Sequence, residues 1–433
     1  MSATELYPKI DFTEDKLANG LRVILSPDHS VPLVAVNLWY DVGSMNDEQG
    51  KTGLAHLFEH MMFEGSKNVK KGDHFDVINS IGGQNNASTS FNRTNYFEWA
   101  PSQHLETLLW LEADRMGGLP AAIDQKNLDN QRDVVKNERR QVVENAPYGE
   151  ALSKTQAALF EEGHAYREEI IGSMADLSAA SVKDVKDFFQ MYYAPNNAVL
   201  SVVGDFDEDQ AMKWIKKYFG GIPANKNIPS KASVTVPFTL GNEYKETVKD
   251  RVPGPGIFMS YRVPEEATRE HDALVIASAV LSAGRSSRMY QRIVRQEIGF
   301  ATNAEVISLP GVSIAFMVGI GLAGGAPEVI TNALIKVVDS LKSEPVTQPE
   351  LARAKAQVER SFIDQLEQVA ARADWLSHNA TVLGSPERAN ERLGELMSIT
   401  AEEVTKAVNE YLVPDNRAVL TFIPGRRPKK EDD

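Results

Sequence analysis

"SVKDVKDFFQMYYAPNNAVLSVVG", residues 181–204, can be laid over "TAEEVTKAVNEYLVPDNRAVLTFIPG", residues 400–425. In each copy a Ser or Thr stands at the N-cap of an amphipathic helix. An aromatic residue and a proline close that helix, and an Asn leads into an "AVL" strand. The two prolines, Pro195 and Pro414, are about half the chain apart, too long a period for a solenoid. The pattern predicts a duplicated domain, each copy ending in helix, turn and strand. Between the copies lies "GGIPANKNIPSKASVTVP", residues 220–237, with the Gly, Pro, Lys and Asn content of a linker. The expected organisation is one domain over 1–219, a linker over 220–237 and a homologous second domain over 238–433.

Working outward, "LANGLRVIL" and "LVAVNLWYDVG" alternate as strands, with Val34, Val36, Leu38 and Tyr40 on one face. "NASTSFNRTNYFEWA" reads as another strand, and long helices follow from about 102 to 190. Strands and long helical runs in this order predict an α+β fold with antiparallel-rich sheets, each covered by helices on one face. The 433 residues exceed what one ordinary core accommodates and suit two domains of about 200 residues.

Composition narrows the function. A formal charge of −14 argues against a phosphate-backbone binder, since the only basic run is the short tail "GRRPKK". A basic or neutral partner suits the chain better. Without a single cysteine there are no disulfides, thiolate metal sites or cysteine nucleophiles, so any metal must be held by His and carboxylate. "MSATELYPKIDF" shows no signal-peptide pattern, which leaves a cytoplasmic or periplasmic location open. "ALVIASAVLSAG" and "VSIAFMVGIGLAGG" fall short of the roughly 18 apolar residues of a membrane span.

"GLAHLFEHMMFEG", residues 53–65, carries the chemistry. Residues four apart on a helix lie about 40° apart in projection, so His56 and His60 can face one ion, with Glu59 on the neighbouring edge. This is the inverted order of the His-Glu-x-x-His zinc helix. The competing reading is a core helix, because Leu54, Leu57, Phe58, Met61 and Met62 are apolar. A catalytic zinc needs a third protein ligand. In "AIDQKNLDNQRDVVKNERRQVVENAPYG" an apolar stripe of Leu128, Val135 and Val142 carries Glu138, a costly place for a carboxylate unless a cation meets it. That cation is either a metal or one of Arg132, Arg139 and Arg140; Asp133 and Glu144 are the less favoured ligands.

"HLFEHMMFEGSKN", "GGQNNASTSFNRTNYFEW" and "QRDVVKNERRQVVENAPYG", in this order, resemble the pitrilysin/insulinase-type inverzincin metallopeptidases, in particular the short-subunit branch similar to mitochondrial processing peptidase. The resemblance extends over essentially the whole chain. It implies a single zinc held by His56, His60 and Glu138, Glu59 as general base, and Asn86, Ala87, Ser88 and Thr89 as the edge on which a peptide adds as a strand. The expected activity is that of a zinc endopeptidase on short unfolded peptides in an enclosed cavity. The alternative is a non-catalytic assembly subunit of the same fold. Family members with complete sites carry an Arg and a Tyr seven residues apart in the second domain. Here Arg295 is followed by Thr302, and Tyr290 lies on the wrong side of the arginine. The chain is therefore expected to be the zinc-bearing half of a heterodimer whose partner, of the same fold, supplies the Arg/Tyr pair.

"GIGLAG" (Gly319, Gly321, Gly324) fits G-x-G-x-x-G, but Asp339 falls inside the following helix rather than at the end of a second strand. The glycines read instead as a flexible strand–helix joint. The charge runs "EEGHAYREE" and "RRPKKEDD" read as solvated surface or tail.

Overall fold

The computed structural model describes residues 7, 9–231 and 233–425; the basic tail from residue 426 lies outside the described residues. Two compact units emerge. One comprises Met1–Glu138, Glu169–Ala232 and Ile363–Glu391, the other Arg139–Glu168, Ser233–Phe362 and Arg392–Asp433.

The first unit holds β1 (Thr13–Lys16), β2 (Arg22–Pro27), β3 (Leu33–Tyr40), β4 (Gln84–Thr89), β5 (Thr94–Pro101) and β6 (Ala198–Gly204), in the sheet order β1-β2-β6-β3-β5-β4. The second holds β7 (Tyr244–Asp250), β8 (Gly256–Val263), β9 (Gly299–Ile307), β10 (Ser313–Gly321) and β11 (Arg417–Pro424), in the order β7-β11-β8-β10-β9. In each sheet one parallel pair, β2 with β6 or β7 with β11, adjoins a run of antiparallel pairs. Apart from β1, the sheets therefore share one topology, as the duplicated sequence requires.

The repeat extends to single hydrogen bonds. Ser181 and Thr400 each form a capping box, with Asp184 and Glu403, at the start of the helices Val182–Tyr192 and Ala401–Tyr411. After each helix, Asn197 and Asn416 donate back to its last turn, to the carbonyls of Tyr192 (3.0 Å) and Tyr411 (2.8 Å). The same amide nitrogens reach the neighbouring strand's end, at the carbonyls of Asp41 and Arg262. The Asn before "AVL" thus ties helix, turn and sheet together.

The alternation in β3 is real but its consequence differs from expectation. Val34, Val36, Leu38 and Tyr40 join a core with Leu57, Phe58, Leu108 and Phe188. The opposite face is also buried: Ala35 and Trp39 pack with Ala373, Leu376 and Ala380 of the helix Val369–Val382. Helices thus cover both faces of this sheet rather than one.

The second unit borrows in the same way. The segment 139–168 lies against its sheet, where the Tyr148 ring meets Phe258 and Phe422 and the Arg262 Nε donates to the carbonyl of Leu159. The compact units consequently differ from the sequence halves 1–219 and 238–433, because each half lends a helical segment to the other half's sheet. Among described residues, 220–243 contain no helix or strand. Gly319 and Gly321 belong to β10 itself, and only Gly324 (φ 75°) lies in the turn beyond, so the joint is shorter than the motif suggested.

Candidate metal centre

The helix Leu54–Met61 starts at Gly53, whose φ of 83° is a left-handed value. A Cβ there would lie 2.5 Å from the carbonyl oxygen of Ile171, so both conformation and space call for glycine. Gly53 offers no capping side chain; the Asp47 carboxylate takes its place, accepting from the N–H groups of Gly53 and Ala55 at 2.9 Å each. Burial pushes the Asp47 carboxyl up to about 8, against those same hydrogen bonds.

Both readings of this helix hold, on different faces. Leu54, Ala55, Leu57, Phe58 and Met61 are buried, with the Phe58 ring 4.2 Å from that of Tyr193. His56, Glu59 and His60 occupy the half-buried remainder. The two imidazoles lie 4.8 Å apart, ring centre to ring centre.

Glu138, near the end of the helix Gln125–Arg139, meets them: its Oε1 is 3.8 Å from His56 Nε2 and its Oε2 3.4 Å from His60 Nε2. One ligand atom from each of the three residues falls within 4.8 Å of the others. Two nitrogens and one oxygen so gathered are the donor set of a three-ligand zinc site with an open fourth position. Two of the three arginines weighed against a metal have carboxylate partners of their own: Arg132 pairs with Asp129, and Arg139 with Glu144 at 2.6 Å. The apolar stripe needs a correction. Leu128 and Val135 are buried, but Val142 is 59% exposed. A π-turn over Arg140–Glu144 rotates the register after Glu138 and buries Val143 instead.

The electrostatics divide the two histidines. Burial, helped by the neighbouring His60, lowers His56 to about 4 and keeps it neutral, the form in which imidazole ligates. Burial opposes charge on His60, but Glu138 and Glu59 more than offset it and raise it. Glu138 is lowered by its hydrogen bond from His60, which outweighs its partial burial. Beside His60, Gln131 favours the charged imidazole and donates Nε2 to Glu64 Oε1 at 2.5 Å. Glu64 in turn holds Lys71. Such outer partners fix ligand orientation. Gln131 went unread in the sequence, although it stands two turns before Glu138 on the same helix face.

Glu59 is raised by burial, against the hydrogen bond it accepts from Thr89 Oγ1 at 2.5 Å. Thr89 ends β4, whose other side pairs with no strand among the described residues. Of the expected edge residues, Thr89 therefore meets Glu59. Asn86 and Ala87 lie further along the same strand, and Ser88 donates to Asn95 at 2.7 Å. In the second unit, Arg295 follows a π-turn at Tyr290–Val294 and donates to Gln291 at 2.8 Å. Thr302 lies on β9 opposite Gly319.

A second group, His74, Glu98 and Glu112, also places ligand-type atoms together, fully buried. Arg115 already occupies it, paired with Glu112 and stacked over the rings of Phe63 and Tyr96. An arginine so placed supplies the positive charge that a metal would.

Two sheets of one topology, with a His–His–Glu centre in the first, define a duplicated α+β protein carrying its chemistry in one repeat. The comparisons agree. Residues 22–168 match the family described as Insulinase (Peptidase family M16), and residues 179–358 match Peptidase M16 inactive domain. The chain is 30% identical to Zinc protease PqqE of Helicobacter pylori, across 98% of this chain and 94% of that protein. It is 25% identical to Uncharacterized zinc protease YmxG of Bacillus subtilis, across 95% of this chain and 98% of that one. The crystal structure of a protease from Helicobacter pylori superposes with a TM-score of 0.90 at 27% identity, covering 96% of this chain and 99% of the other. The chain belongs to the insulinase family, peptidase family M16.

Proposed function

We propose that this chain is a zinc endopeptidase that cleaves short unfolded peptides, with His56, His60 and Glu138 as the ligands of one zinc ion. The observation that carries the reading is the convergence of these three side chains beside Glu59. Zinc, when bound, polarises the scissile carbonyl and lowers the pKa of water.

The chain's own residues do the rest. Glu59 accepts a proton from the attacking water and hands it to the leaving amine. Thr89 orients the Glu59 carboxylate through Oε2. The free edge of β4, over Asn86, Ala87, Ser88 and Thr89, pairs with an extended peptide backbone, a sequence-tolerant mode of recognition. Thr302 stands where the family's tyrosine is expected, which supports a catalytic subunit working in an enclosed cavity with a partner of the same fold.

A non-catalytic assembly role is the second reading, and the match of residues 179–358 to an inactive domain favours it. That match, however, excludes all four residues of the centre, which fall within the segment 22–168. The test is metal analysis of the purified protein with a peptide-cleavage assay. A zinc-loaded parent that cleaves, and a Glu59→Gln variant that keeps zinc and does not, is the expected result. A parent that binds no zinc, or binds it and cleaves nothing with or without a partner, would leave the assembly role.

A further inference from the structure

Beside the centre, a polar network joins the edge strand to a helix from the far end of the sequence. Arg93, in the turn between β4 and β5, donates from Nη1 to the carbonyl of Ser88 at 2.8 Å and to Asn95 Oδ1 at 2.9 Å, and also touches the Ser88 hydroxyl. Its guanidinium lies 5.2 Å from the centre of the Trp39 ring. Asn95 is buried, and its amide donates to Asp374 Oδ1 at 2.9 Å. Asp374, on the helix Val369–Val382, receives two further bonds on that one oxygen, from Trp39 Nε1 at 2.8 Å and Asn37 Nδ2 at 3.1 Å. All these residues belong to the first compact unit.

We propose that Arg93, held in place by Asn95 and Asp374, is a positioning residue that sets the peptide-binding edge of β4 against Glu59. This assignment rests on the peptidase reading above. The argument is geometric. A strand at a sheet edge is tied on one side only, and β4 ends at Thr89, whose hydroxyl holds the base. Arg93 grips both the main chain and the side chain of the residue just before Thr89. It thereby fixes the strand where substrate pairing and the Glu59 contact meet. The bonds to Ser88 and Asn95 leave from one Nη atom, so what sets arginine apart from lysine here is the flat, weakly hydrated guanidinium resting on the Trp39 face, where an ammonium stacks less well. Asp374 supplies the countercharge that makes a half-buried arginine tolerable there. The helix lent by the second sequence half would thus have a functional role beside its packing role.

The experiment is steady-state cleavage of internally quenched, unstructured peptides by zinc-loaded parent, Arg93→Ala, Arg93→Lys and Asp374→Asn, with zinc content measured for each. Arg93→Ala is expected to keep its zinc and raise KM about tenfold, since bonds to a charged group are lost. Arg93→Lys should recover less than half of that loss. Asp374→Asn should shift KM in the same direction, and adding it to Arg93→Ala should change little, because the two act through one strand. Millimolar methylguanidinium should restore Arg93→Ala in part, which a merely destabilised fold would not show. If Arg93→Ala does not fold, Arg93→Lys and Asp374→Asn decide. Variants with intact zinc and KM within twofold of the parent would overturn the assignment while leaving the peptidase reading standing. A parent that cleaves no peptide, with or without a partner of the same fold, takes both down together.

Discussion

At the scale of single residues, the proposed centre separates the groups that would hold a metal from the group that would move a proton. His56, His60 and Glu138 meet one another, whereas Glu59 turns to Thr89. Glu138→Ala should lose zinc and activity together. Glu59→Gln should retain zinc and lose about 100- to 10,000-fold in kcat, the range of general acid–base contributions. Zinc affinity unchanged in Glu138→Ala would remove the third ligand. The buried cluster makes a different prediction, about stability. Burial raises Glu98 and Glu112 to about 7 from an ordinary 4.5, so between those values the folded chain keeps protons the unfolded chain has released. Stability contributed by the pair is therefore full below about pH 4.5 and is lost as pH rises through 7. His74 acts oppositely: burial lowers it to about 3, so its contribution grows from there to about pH 6.5. Two carboxyls outweigh one imidazole between pH 4.5 and 6.5. Denaturation midpoints measured across that window should therefore fall more steeply with pH in the parent than in Glu98→Gln/Glu112→Gln. Parallel slopes would refute the shifts.

At the scale of elements, the helix Val369–Val382 shows what sequence patterning can and cannot deliver. Alternation located β3, and capping residues located both copies of the terminal helix, because those signals are local. The shared helix face of His56 and His60 was legible for the same reason, as was the approach of Glu138 to them. Which helix covers Ala35 and Trp39 is a long-range choice among several amphipathic segments, and nothing near residue 374 announces that Asp374 will satisfy Trp39, Asn37 and Asn95. The π-turn after Glu138 was equally hidden: a helical wheel assumes 3.6 residues per turn and so placed Val142 inside. The borrowed helix gives a direct prediction. Leu376 is completely buried against the first sheet, so Leu376→Ala should destabilise the chain by about 2–5 kcal/mol. Chemical denaturation checks the value, and a change under about 0.5 kcal/mol would mean the helix is not seated there in solution.

At the scale of the whole molecule, charge and the missing tyrosine each bear on the substrate. A net charge of −14 concentrates cations, so peptides rich in Lys or Arg should be cleaved faster at low ionic strength, with the preference fading as salt rises. Indifference to basic residues at low salt would reduce the charge to a matter of solubility.

The tyrosine concerns where the peptide stops. A peptide held by an edge strand alone can slide along it, and moving the scissile carbonyl by about 1 Å costs on the order of 100-fold in rate. Arg295, bonded to Gln291, is followed seven residues later by Thr302 rather than a phenol, so this chain lacks half of the expected clamp. The isolated chain should then fold, bind zinc and cleave poorly. A second chain of the same fold, carrying the Arg/Tyr pair, should restore activity and saturate near one partner per chain. Thr302→Tyr in the chain alone separates the clamp from any other service of a partner: it should raise single-chain activity and reduce the gain from adding the partner. Full activity of the parent chain, unchanged by partner or by the substitution, would establish a self-sufficient peptidase in which the edge strand and its Arg93 tether hold the peptide without a second clamp.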